Sequence, residues 1–404
     1  MSAEPGLSRR SWLAAASGAV LAAAKPLRAQ QDGGVRVTHF VIHKAQVREP
    51  WRTLLFLEIH TNAGITGIGE GSLPLRLDLV EEALRWIEPL LVGRDPAGPE
   101  AHWNRLYYEA ARWRRGDVLN TALSAVDIAL WDLEGKRLGV PLWRLLGGPI
   151  RRRFRAYYSH WTATMEGYSP DDFARHAERT RAKGWTAVKW AVLGEDEREK
   201  TRHTVAALEA IRNAVGDELD VGLELVERFT VRSALAFAEE VAPYKPMFLE
   251  EPIWREKFAA HERLAARSPV PIATGEGLLS RLDFKPLLDA NGAAIIQPDV
   301  VHCGGVTELI KIAQLAETYD VEVAPHSPYS PIGHVASLHA MSVCRNFFIH
   351  EWEAADDELH REITGGAFPT IDENGEVPLP EGPGLGISFD MADFARRFPV
   401  KSRV

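Results

Sequence analysis

Between residues 35 and about 72, apolar and polar positions alternate, the period of two that half-buried β-strands show. The alternation breaks at Asn62-Ala63-Gly64 and again at Gly67, Gly69 and Gly71, so this stretch predicts an antiparallel meander of about three strands with its glycines at turns. Gly67-Ile68-Gly69 is not a dinucleotide loop, because the third glycine is misplaced and no strand, loop and helix follow in order. From 76 to 150 the period lengthens to that of a helix, most clearly over 119–133, where Leu123, Val126, Leu130 and Leu133 share one face. After Gly147-Gly148-Pro149 strands alternate with helical segments, starting with FRAYYSH (154–160) and TAVKWA (186–191). Eight strand candidates fit between 154 and 351, which predicts a (β/α)8-type barrel. Beyond Glu353 the chain turns loop-rich and is expected to return over the amino-terminal domain.

The ends of these strands carry polar residues, which packing does not explain. Glu224, Glu250 and Glu276 stand 26 residues apart, closing the apolar runs VGLELV, MFLEEP and PIATGE. One strand, one helix and two loops make up that step, so the three carboxylates converge at one rim of a parallel barrel. Asp299, His326 and Glu351 follow at steps of 23, 27 and 25 residues. A surface ion pair would account for any one of the glutamates but not for their common position. Oxygen ligands gathered without Cys or a His cluster suit a hard octahedral cation, Mg²⁺ before Mn²⁺, rather than Zn²⁺. Glu251 alternates to the other side of its strand, where a supporting role is expected. The pattern predicts a metal-dependent enzyme.

The amino terminus reads differently from the rest. Ser8-Arg9-Arg10-Ser11-Trp12-Leu13, the apolar stretch 12–24 and a small residue at Ala29 form a leader of the twin-arginine kind, too short to span a bilayer. Cleavage near Ala29 would send the protein to the periplasm, with no membrane contact in the mature form. It would also remove four cations and one carboxylate, taking the net charge from −9 to −12. That surface excludes nucleic acid as a partner, but not an anionic substrate, because a bound divalent cation and nearby Lys set the local field. Cys303 and Cys344 are the only cysteines, so no thiolate metal site exists, and two buried thiols are expected.

Several stretches together resemble the enolase superfamily, in its mandelate racemase subgroup, and within it the galactonate dehydratase-like acid-sugar dehydratases. They are SAVDIALWDLEGK (124–136), LEEPI (249–253), Gly275-Glu276, SRLDF (280–284), IIQPD (295–299), GGVTE (304–308) and APHSP (324–328). The likeness covers essentially everything after residue 35. It implies an α/β fold, a modified (β/α)8, TIM-like (β/α)7β barrel over 151–353 beneath an α+β capping domain over 35–150, with 354–404 as the returning tail. It also implies that Glu224, Glu250 and Glu276 ligate Mg²⁺, that His326 paired with Asp299 is the general base, and that Glu351 hydrogen-bonds the substrate carboxylate. Lys189, at the end of the second strand, is placed to stabilise the same charge. The expected partner is a small acid sugar, and the expected assembly a symmetric homo-oligomer.

Two departures narrow the chemistry. Racemases of the subgroup carry Lys-x-Lys on the second strand, whereas this chain has Lys189-Trp190-Ala191, which disfavours a two-base racemase. Galactonate dehydratase-like members have a histidine two residues after the first metal ligand as general acid, and Val226 stands there. General acid catalysis is worth about 10²–10⁴ in rate, so another group must protonate the departing hydroxyl. The candidates are His326 itself in a syn elimination, which needs no new group and is preferred, and Tyr158 or His160 at the end of the first barrel strand. Tyr158, His160 and Arg115, the last of the run Arg112-Trp113-Arg114-Arg115, are the expected substrate contacts. The sequence therefore supports a dehydratase that abstracts the proton α to a carboxylate and expels the 3-hydroxyl, giving a 2-keto-3-deoxy acid. A one-base epimerase on the same scaffold and a non-catalytic exported sugar-acid binding protein are the alternatives.

Overall fold

The computed structural model describes residues 34–48, 52–109, 115–328 and 330–401, and Val35–Val404 form one compact unit. The twin-arginine segment lies outside the described residues. Strands β1 (Val37–Arg48), β2 (Arg52–Thr61) and β3 (Thr66–Glu70) make an antiparallel sheet in that order. Helices α1 (Leu77–Leu91), α2 (Pro99–Glu109) and α3 (Asp117–Leu138) pack on it. Gly64 makes the turn, at φ 73°. Gly67 and Gly69 lie inside β3, contrary to the expectation that they form turns. A Cβ on Gly67 would stand 2.1 Å from the Ala129 carbonyl oxygen, and one on Gly69 2.0 Å from that of Ala125, so these glycines let α3 lie directly on the sheet.

Helix α3 is buried on nearly every side. Leu123, Val126, Leu130 and Leu133 join the apolar cluster of the sheet, as their shared face predicts, while Ile128 joins the cluster of the barrel helices. Its acids sit in the joints. Asp127 accepts the N–H of Thr307 at 2.9 Å and its hydroxyl at 2.6 Å, and Asp132 accepts the N–H groups of Ile68 at 2.9 Å and Leu385 at 2.8 Å. A helix with carboxylates on its second face thus serves as the common wall of three segments.

Eight parallel strands follow: β4 (Arg153–Tyr158), β5 (Ala187–Ala191), β6 (Asp220–Glu224), β7 (Phe248–Glu250), β8 (Ile272–Thr274), β9 (Ile295–Ile296), β10 (Glu322–Val323) and β11 (His350–Trp352). Each pairs with the next up to β10, and β11 pairs with β4. A parallel bridge between Val323 and Phe347 joins β10 to the segment leading into β11 and closes the ring. A helix of 8–19 residues separates each consecutive pair, whereas β11 leads into the seven-residue helix Asp357–Ile363 and the tail, with no further barrel strand among the described residues, giving the (β/α)7β barrel.

The barrel interior mixes two large rings, Tyr157 and Phe248, with Ala187, Ala273 and Ala324. Gly222 completes that fit, since a Cβ there would lie 2.8 Å from the Phe248 ring. Gly222→Ala is expected to destabilise the protein by about 1–3 kcal/mol, the usual range for overpacking, read as a lower denaturant midpoint at unchanged slope. The tail adds β12 (Glu376–Pro378), antiparallel to β4, and then reaches β2, where Phe389 and Phe394 set their rings against Phe56 at 5.3 and 5.7 Å.

Candidate active site

Glu224 and Glu250 are register partners, the last residues of β6 and β7, and therefore project side by side. Glu276 is not the last residue of its strand as the sequence suggested. β8 stops at Thr274, and Gly275, at φ 125° and with no room for a Cβ against the Phe284 ring, swings the chain so that Glu276 returns to the other two. One carboxylate oxygen from each of the three lies within 4.8 Å of the others. Burial pushes the Glu224 and Glu250 carboxyls up, Glu250 to about 7, and neighbouring carboxylates add to this while Lys189 opposes it. This is a set of acids short of positive charge. Three hard oxygen donors in such a deficit fit a divalent cation that needs six ligands and keeps water or substrate oxygens as the remainder.

Lys189 projects from β5 and is buried, its Nζ donating to Glu250 and lying 3.1 Å from Glu351. Burial works against the ammonium, but Glu250 and Glu351 outweigh it and hold the pKa well above the ordinary lysine value. Lys189 is thus held as a cation between two carboxylates. Glu250 also accepts from Gln297 Nε2 on its other oxygen, and a carboxylate has lone pairs enough to keep both donors and a metal bond.

His326 Nδ1 is 2.7 Å from Asp299, and its Nε2 is 3.3 Å from Glu276 and 3.8 Å from Glu351. Both residues sit three positions beyond their strands, β9 and β10. Burial disfavours the imidazolium, yet Glu276, Glu351 and Asp299 prevail and raise the His326 pKa well above its ordinary value. Glu351 is buried and receives the Ser159 hydroxyl at 2.5 Å and the Ser327 N–H at 2.9 Å. Although burial alone would raise its pKa, Lys189, His326 and Ser159 hold it far below the carboxylate range. Glu351 lies between Lys189 and His326, at 3.1 and 3.8 Å.

The remaining sequence candidates fare unequally. Tyr158 is not brought to the carboxylates: Tyr157, one residue earlier, occupies the barrel interior, so Tyr158 alternates outward to Trp185, with its hydroxyl 3.2 Å from Thr164. Arg115 is exposed and pairs with Asp283 at 2.9 Å, beside the barrel helix and not among the carboxylates; Arg112, Trp113 and Arg114 lie outside the described residues. His160 stays at the rim, its Nδ1 2.7 Å from Glu353. Glu251 is buried against Arg255 at 3.2 Å, with its pKa pushed up to about 9 by burial and then by Glu276. Sequence reasoning assigned no role to Gln297, Ser159 or Ser327. Gln297 stands two residues before Asp299, and Ser159 two residues after Tyr157, so the period of two was their only signal.

Comparison with known proteins agrees with this geometry. The family model for the mandelate racemase/muconate lactonizing enzyme N-terminal domain matches residues 37–147, and that for the enolase C-terminal domain-like region matches 172–393. The chain is 37% identical to D-galactonate dehydratase of Ralstonia pickettii (strain 12J) over 347 residues, 84% of this chain and 89% of the relative. It is 36% identical to D-galactonate dehydratase of Xanthomonas euvesicatoria pv. vesicatoria (strain 85-10), over 88% of this chain and 92% of the relative. Among solved structures it is similar to a mandelate racemase/muconate lactonizing enzyme-like protein from Roseovarius sp. TM1035, with a TM-score of 0.82, 29% identity, and coverage of 91% and 96% of the two chains.

Proposed function

The chain belongs to the mandelate racemase/muconate lactonizing enzyme family of the enolase superfamily, and from that premise we propose that it is a Mg²⁺-dependent hydro-lyase that dehydrates a galactonate-like acid sugar to its 2-keto-3-deoxy acid. The observation that carries the reading is the position of His326, whose Nε2 stands within 4 Å of both Glu276, in the acid cluster, and Glu351, beside Lys189. A base so placed borders both the candidate metal site and the cation that would meet a substrate carboxylate.

Glu224, Glu250 and Glu276 would hold Mg²⁺, or Mn²⁺ in its place. When bound, the cation would offset the negative charge of these carboxylates and polarise the substrate carboxylate. His326 takes the proton α to that carboxylate at Nε2, while Asp299 on Nδ1 fixes the tautomer and stabilises the imidazolium as it forms. Lys189 offers its N–H bonds to the oxygens on which charge then develops, held in place by Glu250 and Glu351. One leading base and no basic lysine opposite fit elimination better than two-base racemisation. Arg9-Arg10 and the apolar stretch after them support export to the periplasm as part of the same reading.

The test is ¹H NMR of the Mg²⁺-loaded protein in D₂O against a panel of hexonates and pentonates. Loss of the C2 proton signal with new C3 methylene signals is the expected result. Exchange at C2 without elimination would favour the one-base epimerase, and no exchange with any member would sink the dehydratase reading in favour of a binding protein.

A further inference from the structure

Dehydration requires a proton on the departing hydroxyl, and the position two residues after Glu224 does not supply one. Val226 carries an isopropyl group, sits at φ 50° and is 43% exposed. The rim holds another imidazole. Strand β4 keeps its pairing as far as Ser159, whose N–H bonds the Trp352 carbonyl at 2.9 Å, and the chain then turns at His160 through φ 48°. A left-handed non-glycine residue is uncommon and persists where its surroundings fix it.

Here the surroundings are specific. His160 Nδ1 lies 2.7 Å from Glu353 Oε2 and 3.3 Å from the Ser159 hydroxyl, which itself donates to Glu351. Glu353 is fully buried and is gripped from the other side by Arg52, a residue of β2 whose guanidinium also donates to the Pro328 carbonyl, two residues past His326. The ring of His160 itself remains half exposed, at 52%. β11, which carries Glu351, lies between β4 and β10, so His160 and His326 flank Glu351 from opposite sides. The carboxylate–imidazole pairing that Asp299 makes with His326 is repeated by Glu353 with His160, through Nδ1 in both.

We propose that His160, oriented by Glu353, is the general acid that protonates the departing 3-hydroxyl, replacing the histidine absent at Val226. This rests on the dehydratase reading and displaces the syn elimination by His326 alone. His326 takes the C2 proton and the C–H electron pair is first held as the C1=C2 bond of the enediolate; that pair then forms C2=C3 as the C3–O pair leaves with the oxygen, which takes the His160 Nε2 proton to depart as water. The resulting enol ketonises to the 2-keto-3-deoxy acid, and solvent returns a proton to His160 and takes one from His326.

The test uses the Mg²⁺-loaded protein and the acid sugar that the NMR panel identifies, together with its 3-deoxy-3-fluoro analogue, whose fluoride departs without needing protonation. In His160→Asn, chosen because Asn tolerates positive φ, elimination of water should fall about 10²–10⁴-fold while C2 exchange stays within about threefold, and fluoride release should remain near that of the unaltered protein. Glu353→Gln should shift the same ratio in the same direction by less, as befits a positioning residue. Water elimination undiminished in His160→Asn, or exchange, water loss and fluoride loss all falling together, would overturn the assignment. Absence of exchange in the unaltered protein would instead overturn the dehydratase reading on which it rests.

Discussion

His326→Asn is expected to abolish both C2 proton exchange and dehydration, by about 10⁴-fold, the upper end of what a positioned base contributes. The size follows from what else stands at the rim. Lys189 is held as an ammonium between Glu250 and Glu351, and Glu351 is held as a carboxylate already accepting two hydrogen bonds, so neither takes over the proton. Asn preserves a donor toward Asp299, which keeps the loop after β10 in place and separates loss of the base from loss of the fold. Asp299→Asn should act more mildly and leave a distinct trace. The base works in its neutral form, so activity rises with pH through the His326 pKa; removing one of the anions that raise that pKa moves the acid limb of the profile to lower pH while the plateau falls. Exchange within tenfold of the unaltered protein in His326→Asn, measured by NMR in D₂O, would place the base elsewhere.

The barrel and its rim were legible because both are periodic. Parallel strands buried on both sides leave near-continuous apolar runs, and the recurrence of a polar residue after each run at a nearly constant step pointed to the rim. Three features were not legible, each because it depends on where the backbone turns. Glu276, Asp299 and His326 lie two or three residues past their strands, and what brings Glu276 back is the φ of Gly275, which an apolar count does not register. Tyr158 reads as a rim residue because it ends a strand, but alternation along β4 gives the interior to Tyr157, puts Ser159, just past the strand, against Glu351, and sends Tyr158 outward. Gly67 and Gly69 read as turn residues because glycine serves two purposes; here it removes a Cβ from the path of a helix formed more than 45 residues later. The Arg52–Glu353–His160 contact spans 301 residues between its first pair, a separation at which a single sequence has no pattern to offer.

Glu250→Gln is expected to weaken Mg²⁺ binding by at least about 10²-fold, more than the 10–100-fold usual for residues one step removed from a metal, while leaving the metal-free protein as stable as before or more so. Two opposing effects are separated by that pair of measurements. As a ligand, Glu250 contributes charge and an oxygen between Glu224, at the end of the strand on one side, and Glu276, two residues past the strand on the other. In the metal-free protein the same charge is a liability, buried beside those two carboxylates, with Lys189 as its nearest relief. An amide of the same shape accepts from Lys189 through its one oxygen and turns its NH2 to Gln297, whose own amide flips to present its unpaired Oε1, and Lys189 keeps Glu351 at 3.1 Å, so no buried cation is stranded. Calorimetric titration with MgCl₂ and melting with and without the metal read the two effects separately. Undiminished affinity would remove Glu250 from the ligand set, whereas a metal-free protein that melts several degrees lower would mean that the Lys189–Glu250 pair is chiefly structural, and that the charge deficit lies with Glu224 and Glu276 alone.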